Sequence, residues 1–286
     1  MLRLGVATNA ETLARMADPL AERGIEVTHV RTRERTLDLT QPPEWDVDVG
    51  FVFPPRMMEG GVADALLDVP WVNDRDAVLT SRNKGHVLAA LGTADVAVPN
   101  TIVVSNPVDQ DALVDAFERF DPPVVVKPNS TTRGVGVAKA HDLDSFLGLV
   151  DYLDLVHDYR ATGDRSFLVQ EFLPDARDYR AMVVDGEYVG AVERRLPDAA
   201  LAAGQWKHNV HRGAEATAVD LPDSLRTLAE RTAAVLDIPF LGVDLLVTDD
   251  RAVVNETNAR PTIDDASKYR DGFYDDLAAL VRAQRE

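Results

Sequence analysis

The first third of the chain alternates strand-length apolar runs with helical periodicity, and this order leaves few folds open. Residues 2–8 are an apolar run of strand length. Residues 10–23 place Leu13, Met16, Ala17 and Leu20 at helical spacing, and Gly24 follows as a C-cap. Further strands are predicted at 25–30 and 47–53, a short helix at 58–67 and an edge strand at 70–72. Such a β-α-β-α-β order implies a small parallel sheet with right-handed crossovers. Its first turn reads GVATNAET and lacks the G-x-G-x-x-G fingerprint. That argues against a dinucleotide site and a nicotinamide-dependent oxidoreductase.

The rest of the chain changes character. A helix is predicted at 76–91, a strand at 98–104, a helix at 109–120 and a strand at 124–127. A polar, glycine-containing loop at 129–136 leads to a return strand at 137–140 and a helix at 143–159. After a polar break at 161–165 come a strand at 167–172 and two hairpins. Asp185-Gly186 turns the first, 179–184 to 188–194, because those residues tolerate the positive φ of a tight turn. The second runs 240–248 to 252–257. Helices at 225–236 and 273–285 complete the pattern. The expected fold is an α/β N-terminal domain at 1–80 followed by a two-lobe α+β unit. Its central lobe would span 81–166 and its C-terminal lobe 167–286.

Composition narrows the partners. The 48 acidic and 30 basic side chains give a formal charge of -18. Phosphate backbones and anionic membranes repel such a chain, so neither nucleic acid nor membrane is expected as a partner. With no cysteine, disulfides, zinc-thiolate sites and thiol catalysis are excluded. No apolar run approaches the roughly 20 residues of a membrane span, and the start reads as a strand, so a cytoplasmic protein is expected. Lysine occurs only at Lys84, Lys127, Lys139, Lys207 and Lys268. Abundant Asp with scarce Lys suggests a surface adapted to high salt. It also makes each remaining lysine a candidate for a required amine.

Several short patterns carry chemistry. Glu256 and Asn258 are two apart on a predicted strand and share a face, with Asn255 and Thr257 opposite. Asp244 lies on the partner strand inside the apolar run FLGVDLL, where an unpaired carboxylate would be costly to bury. Three oxygen ligands on one face suit a hard cation such as Mg²⁺. The plainer alternative is an exposed Asp244 and a Glu256 paired with an arginine. Lys127 ends the run PPVVVKP before NSTTRGVG, placed to meet an anion, although a snorkelling surface lysine would look the same. Gln170 and Glu171 end another apolar strand. Lys207, Asn209, His211 and Arg212 cluster in WKHNVHRG, which reads as a phosphate or carboxylate contact or as a solvated loop.

The order of these patterns is more telling than any one of them. The series VQEF, DYR, VERR, NVHRG, GVDLL and ETN resembles the ATP-grasp superfamily, and within it the RimK-like carboxylate–amine ligases, from about Arg82 onward. The resemblance implies that Lys84 and Lys127 hold ATP phosphates. It makes the loop 129–136, with Arg133, Gly134 and Gly136, the lid. Gln170, Glu171, Phe172 and Asp178 become nucleotide contacts, as do Lys207, His208 and Asn209. Asp244, Glu256 and Asn258 become ligands for two Mg²⁺ or Mn²⁺ ions. Arg212 and Arg260 would act as catalytic residues, stabilising charge on the moving phosphoryl group and the acylphosphate. Two departures stand out: the loop NSTTRGVG is not the usual Glu/Gly-rich form, and ARPTID replaces the Ala-Ser-Pro-Gly found after the metal motif.

The activity so implied is an ATP-dependent, ADP-forming ligase working through an acylphosphate. It would join an amino-acid amine, most often glutamate, to a small-molecule or peptide carboxylate. A glutathione-synthase or D-alanine-ligase type of C–N ligase is the nearest alternative, and an ATP-binding regulatory protein without turnover a more distant one. The identities of both substrates and any homo-oligomer stay open.

Overall fold

The computed structural model describes residues 1–8, 10–41, 44–131, 134–156, 164–210 and 213–285. The described strands form three sheets. In the first, β1 (Leu2–Val6), β2 (Ile25–His29) and β3 (Val49–Phe51) pair in parallel in the order β2-β1-β3. Helix α1 (Ala10–Ala21) joins β1 to β2, and α2 (Met57–Leu67) follows β3. Where an edge strand was expected at 70–72 there is a single parallel bridge between Gly50 and Trp71.

The helix expected at 76–91 is two: α3 (Arg75–Arg82) and α4 (Lys84–Thr93). Asn83 lies extended between them, and its side chain accepts from His86 N–H, capping α4. Asparagine competes for its neighbours' backbone groups, which favours caps over helix interiors. The break sets Lys84 on the first turn of a new helix.

The second sheet is antiparallel, in the order β4-β7-β5-β6, built from β4 (Thr101–Ser105), β5 (Val124–Pro128), β6 (Ala138–Ala140) and β7 (Ser166–Glu171). Helices α5 (Gln110–Glu118) and α6 (Leu143–Val156) pack on it. The expected break between 166 and 167 therefore cuts a paired strand, and the chain leaves this sheet only after Glu171. The first strand is also shorter than expected, beginning at Thr101.

The third sheet has the order β10-β9-β8-β11-β12. Its strands are β8 (Arg177–Val184), β9 (Glu187–Arg195), β10 (Glu215–Val219), β11 (Phe240–Val247) and β12 (Ala252–Asn258). Asp185 and Gly186 both take positive φ, as the tight β8–β9 turn requires. Short α7 (Asp198–Ala202) and strand β10 carried no apolar signal, since β10 is largely exposed. Helix α8 (Asp223–Leu236) covers one face of this sheet, and α9 (Phe273–Ala283) ends the chain on the other.

Packing divides the molecule differently from the sequence. Leu4, Val6 and Phe51 of the parallel sheet share one core with Met182, Val184, Phe240 and Leu277. Buried Asn73 stitches the two parts, donating to the carbonyls of Phe240 and Ala259 at 2.6 Å and accepting from Phe240 N–H. The four-stranded sheet buries a separate core of Phe117, Val126, Phe146 and Phe167. The N-terminal unit thus packs against the five-stranded sheet, while the four-stranded sheet forms a lobe with its own interior.

Candidate active site

Strands β11 and β12 place the acids. Asp244 and Glu256 are direct antiparallel partners, so both side chains share a face. The register then shifts: Leu245 pairs with Val254, which leaves Asn255 as the extra residue of a bulge. The bulge overturns the expected alternation. Asn255, expected to point away, offers its Oδ1 to Lys127 Nζ at 3.3 Å. Thr257 keeps its expected orientation, buried with Oγ1 3.1 Å from Ser81 Oγ. Asn258 accepts the Arg260 N–H at 2.9 Å on its Oδ1.

Two buried lysines reach the acids from other elements. Lys84, 4% exposed, stands 3.3 Å from Glu256 and donates to the Thr131 carbonyl. Asn129 fixes its helix: its Oδ1 accepts Gly85 N–H at 2.8 Å while its Nδ2 donates to Ser166. Asn129, expected in the lid, thus belongs to the frame. Lys127, 3% exposed on β5, donates to Gln170 Oε1 at 3.0 Å, and Gln170 is steadied by Thr101. Burial pulls the Lys127 ammonium down to about 8; Glu256 and Asp244 oppose the shift, and the nearby Lys84 charge adds to it.

Behind the acids lies a charge quartet in which Asp244 and Arg194 are buried and Arg180 and Asp178 partly so. Arg180, the register partner of Asp244, grips it through two bonds of 2.7 and 2.8 Å. Arg194 stands 3.1 Å from Asp244 and donates to Asp178. Burial raises the Asp178 carboxyl despite Arg194. Burial also acts on Asp244, but Arg180 and then Arg194 outweigh it and hold its carboxyl low. His208 donates from Nδ1 to the Arg194 carbonyl at 2.8 Å. Arg180 was visible in the Asp-x-Arg pattern; its partner was not, because only strand register sets it opposite Asp244.

The expected nucleotide contacts sit around the passage between the sheets. Glu171 accepts Asn100 N–H and an Arg251 N–H, both at 2.6 Å. Phe172 meets Trp206 edge-on at 5.8 Å, and Lys139 Nζ lies 4.4 Å from the Phe172 ring and 4.9 Å from the Trp206 ring. Sequence reasoning had passed over Lys139 and Trp206, although the scarcity of lysine pointed to the former. Lys207 donates to the Val137 carbonyl on the far side of the loop. In that loop Gly134 and Gly136 take positive φ. A Cβ on Gly134 would lie 2.7 Å from Asn209 Oδ1, so the loop glycine abuts the Lys207–Asn209 segment. Arg133, His211 and Arg212 lie outside the described residues. Arg260 donates to the carbonyls of Ala7, Val52 and Phe53 in the N-terminal unit.

The donor set fits a hard cation shared with a phosphate ligand. Among the described residues no cluster of three or more acidic, His or Cys side chains could hold a metal alone. The site has two carboxylates, Asp244 and Glu256, and the amide oxygen of Asn258. Mg²⁺ is commonly held by one or two carboxylates together with substrate phosphates, and the neighbouring lysines suit such phosphates.

A lobe with its own core, set against a sheet whose acids lie near the lobe's lysine, is the arrangement of the ATP-grasp class of nucleotide-binding folds. The chain belongs to the RimK-like ATP-grasp domain family, which matches residues 81–275. It is similar to a probable alpha-L-glutamate ligase of Stenotrophomonas maltophilia, 30% identical over 67% of this chain and 62% of that one. A probable alpha-L-glutamate ligase of Shewanella halifaxensis is 28% identical over 69% of this chain and 41% of its own length. The chain thus spans about two to three fifths of the length of these curated relatives. The solved RimK domain ATP-grasp protein of Sphaerobacter thermophilus has the same fold, with a TM-score of 0.69 at 23% identity over 99% of this chain and 98% of that one.

Proposed function

We propose that the chain is an ATP-dependent, ADP-forming carboxylate–amine ligase that joins an amino acid such as glutamate to a small-molecule or peptide carboxylate. The observation that carries this reading is the meeting of Lys84 and Lys127 with Glu256 and Asn255 between two independently packed sheets. Buried amines beside the buried Asp244 and the half-buried Glu256 are costly unless a polyanion and a cation complete the set.

In this reading Lys84 and Lys127 neutralise phosphate oxygens as point charges. Asp244, Glu256 and Asn258 would hold Mg²⁺, which when bound offsets charge on the phosphates. Arg180 and Arg194 keep Asp244 ionised and correctly turned. Phe172, Trp206 and the backbone beside Glu171 form the nucleotide's outer wall, and the loop with Gly134 and Gly136 excludes water. Arg212 remains the candidate for the transferred phosphoryl. A substrate carboxylate oxygen attacks the γ-phosphorus and ADP leaves. The amine nitrogen then attacks the acyl carbon, and phosphate leaves as the amide forms. The reaction is mainly a matter of positioning and charge neutralisation.

Incubation with ATP, Mg²⁺, hydroxylamine and a panel of carboxylates tests the reading. A hydroxamate with a particular acid, and ADP in equal amount, is the expected result. Nucleotide binding with no hydroxamate from any acid would favour a regulatory protein. Glu256→Gln is expected to lower turnover by about a hundredfold or more with unchanged far-UV circular dichroism. An unaltered rate would refute the metal assignment.

A further inference from the structure

Three arginines in this acidic chain converge on one end of the N-terminal sheet without a carboxylate partner among the described residues. Arg260 donates to the carbonyls of Val52 and Phe53 through NH1 and to Ala7 through NH2. Arg82 donates through NH2 to the Pro55 carbonyl of the same loop at 2.9 Å. Arg33 follows the end of β2 and is exposed. Arg82 and Arg33 both lie close enough to Arg260 for their charges to oppose its own. By contrast Arg3, Arg23, Arg180, Arg194, Arg226 and Arg251 all sit on carboxylates.

The place is informative. Ala7 follows β1, Val52 follows β3 and Arg33 lies just past β2, so the cluster stands at the carboxyl ends of the parallel strands. Ligands of open α/β sheets bind at that edge. Val52, a β-branched residue, takes φ 50, a backbone state that marks functional or strained sites. The cluster is also tied to the acid-bearing strand. Ser81, next to Arg82, bonds Thr257 Oγ1 and accepts Ala259 N–H at 2.9 Å, and Arg260 is two residues beyond Asn258. Guanidinium donors remain available, since Arg82 spends one N–H and Arg260 three of five.

We propose that Arg33, Arg82 and Arg260 form a receptor for a substrate carboxylate that is not itself phosphorylated. One of the two substrates of the ligase then carries an additional carboxylate, which docks here while its reacting group faces the acid pair. This rests on the ligase reading for its substrates but not for its anion site. Arg33 lies outside the residues that match the RimK-like domain, so the receptor is completed by the N-terminal unit.

A binding arm tests the site without turnover. Calorimetry of the full chain in low-salt buffer compares glutarate with its uncharged diamide, for the wild type, Arg33→Gln and Arg82→Gln. Glutarate is expected to bind about tenfold or more tightly than the diamide, and each variant to lose most of that preference, as charge-assisted bonds predict. Urea midpoints check that the variants stay folded. Equal affinity for both probes, or an unchanged preference in both variants, overturns the proposal.

A turnover arm locates the carboxylate. With hydroxylamine as nucleophile, diacids are compared with their monoamides as acyl substrates. With a fixed acyl substrate, L-glutamate is compared with its α-amide and with L-glutamine as amines. In one comparison the variants should raise KM for the carboxylate-bearing member about tenfold, with kcat nearly unchanged and the amide counterpart unaffected. That comparison identifies the substrate that docks here. Equal effects on acid and amide in both comparisons overturn the proposal. A wild type that turns over no acid sinks the ligase reading instead, and the binding arm then decides the anion site.

Discussion

Lys127→Met probes the site through stability, before either substrate is known. Keeping an ammonium charged where burial has pulled its pKa from 10.5 to about 8 costs about 3 kcal/mol at 1.36 kcal/mol per pKa unit. Its bonds to Gln170 and Asn255 return about 1 kcal/mol each. Methionine occupies a similar volume without charge, so the variant without nucleotide should be about 1–2 kcal/mol more stable at neutral pH, or roughly 2–6 °C in Tm. The sign with pH follows from proton binding. Between the folded value near 8 and the unfolded 10.5, the unfolded chain holds more protons, so wild-type stability rises with pH through that window. The advantage of the variant should shrink there and reverse near pH 10.5, where only its lost hydrogen bonds remain. Urea titrations at neutral pH and near pH 10 measure the gap. A variant less stable at neutral pH, or a gap that ignores pH, refutes the reasoning. ATP with Mg²⁺ should stabilise the wild type and fail to stabilise the variant comparably.

Other perturbations read the frame around the site. Asp244→Ala leaves Arg194 buried beside Asp178 alone and Arg180 without its partner, and should destabilise by about 3 kcal/mol or more, seen as a lower urea midpoint. An unshifted midpoint would mean that water satisfies the arginines. Arg251→Ala removes a pair in which the arginine is 41% exposed, so stability should move by less than about 1 kcal/mol. A rise in nucleotide KM with that small change would show that Glu171 needs Arg251 to hold its place. Gly50→Ala would bring a Cβ to 2.3 Å from the Trp71 ring, and about 1–3 kcal/mol of overpacking should appear in thermal unfolding. Wild-type stability there would mean that Trp71 can shift freely.

Much of the plan could be read along the chain, because its signals are local. Apolar periodicity marked β1, α1 and β2, and Asp185-Gly186 marked the β8–β9 turn, since one or two residues determine the φ values there. The motif order indicated the ATP-grasp family, now matched over residues 81–275. Element bounds failed where a polar residue broke a periodic run, as Asn83 does between α3 and α4.

What the chain alone determined was therefore which residues could bear charge, and in what order. Tertiary structure decided which of them meet. Strand register set Arg180 against Asp244, and a bulge of one residue turned Asn255 towards Lys127. Contacts between distant segments placed Arg260 on carbonyls of the N-terminal unit. Register, bulges and long-range bonds depend on how separate strands dock, and no window of neighbouring residues encodes that.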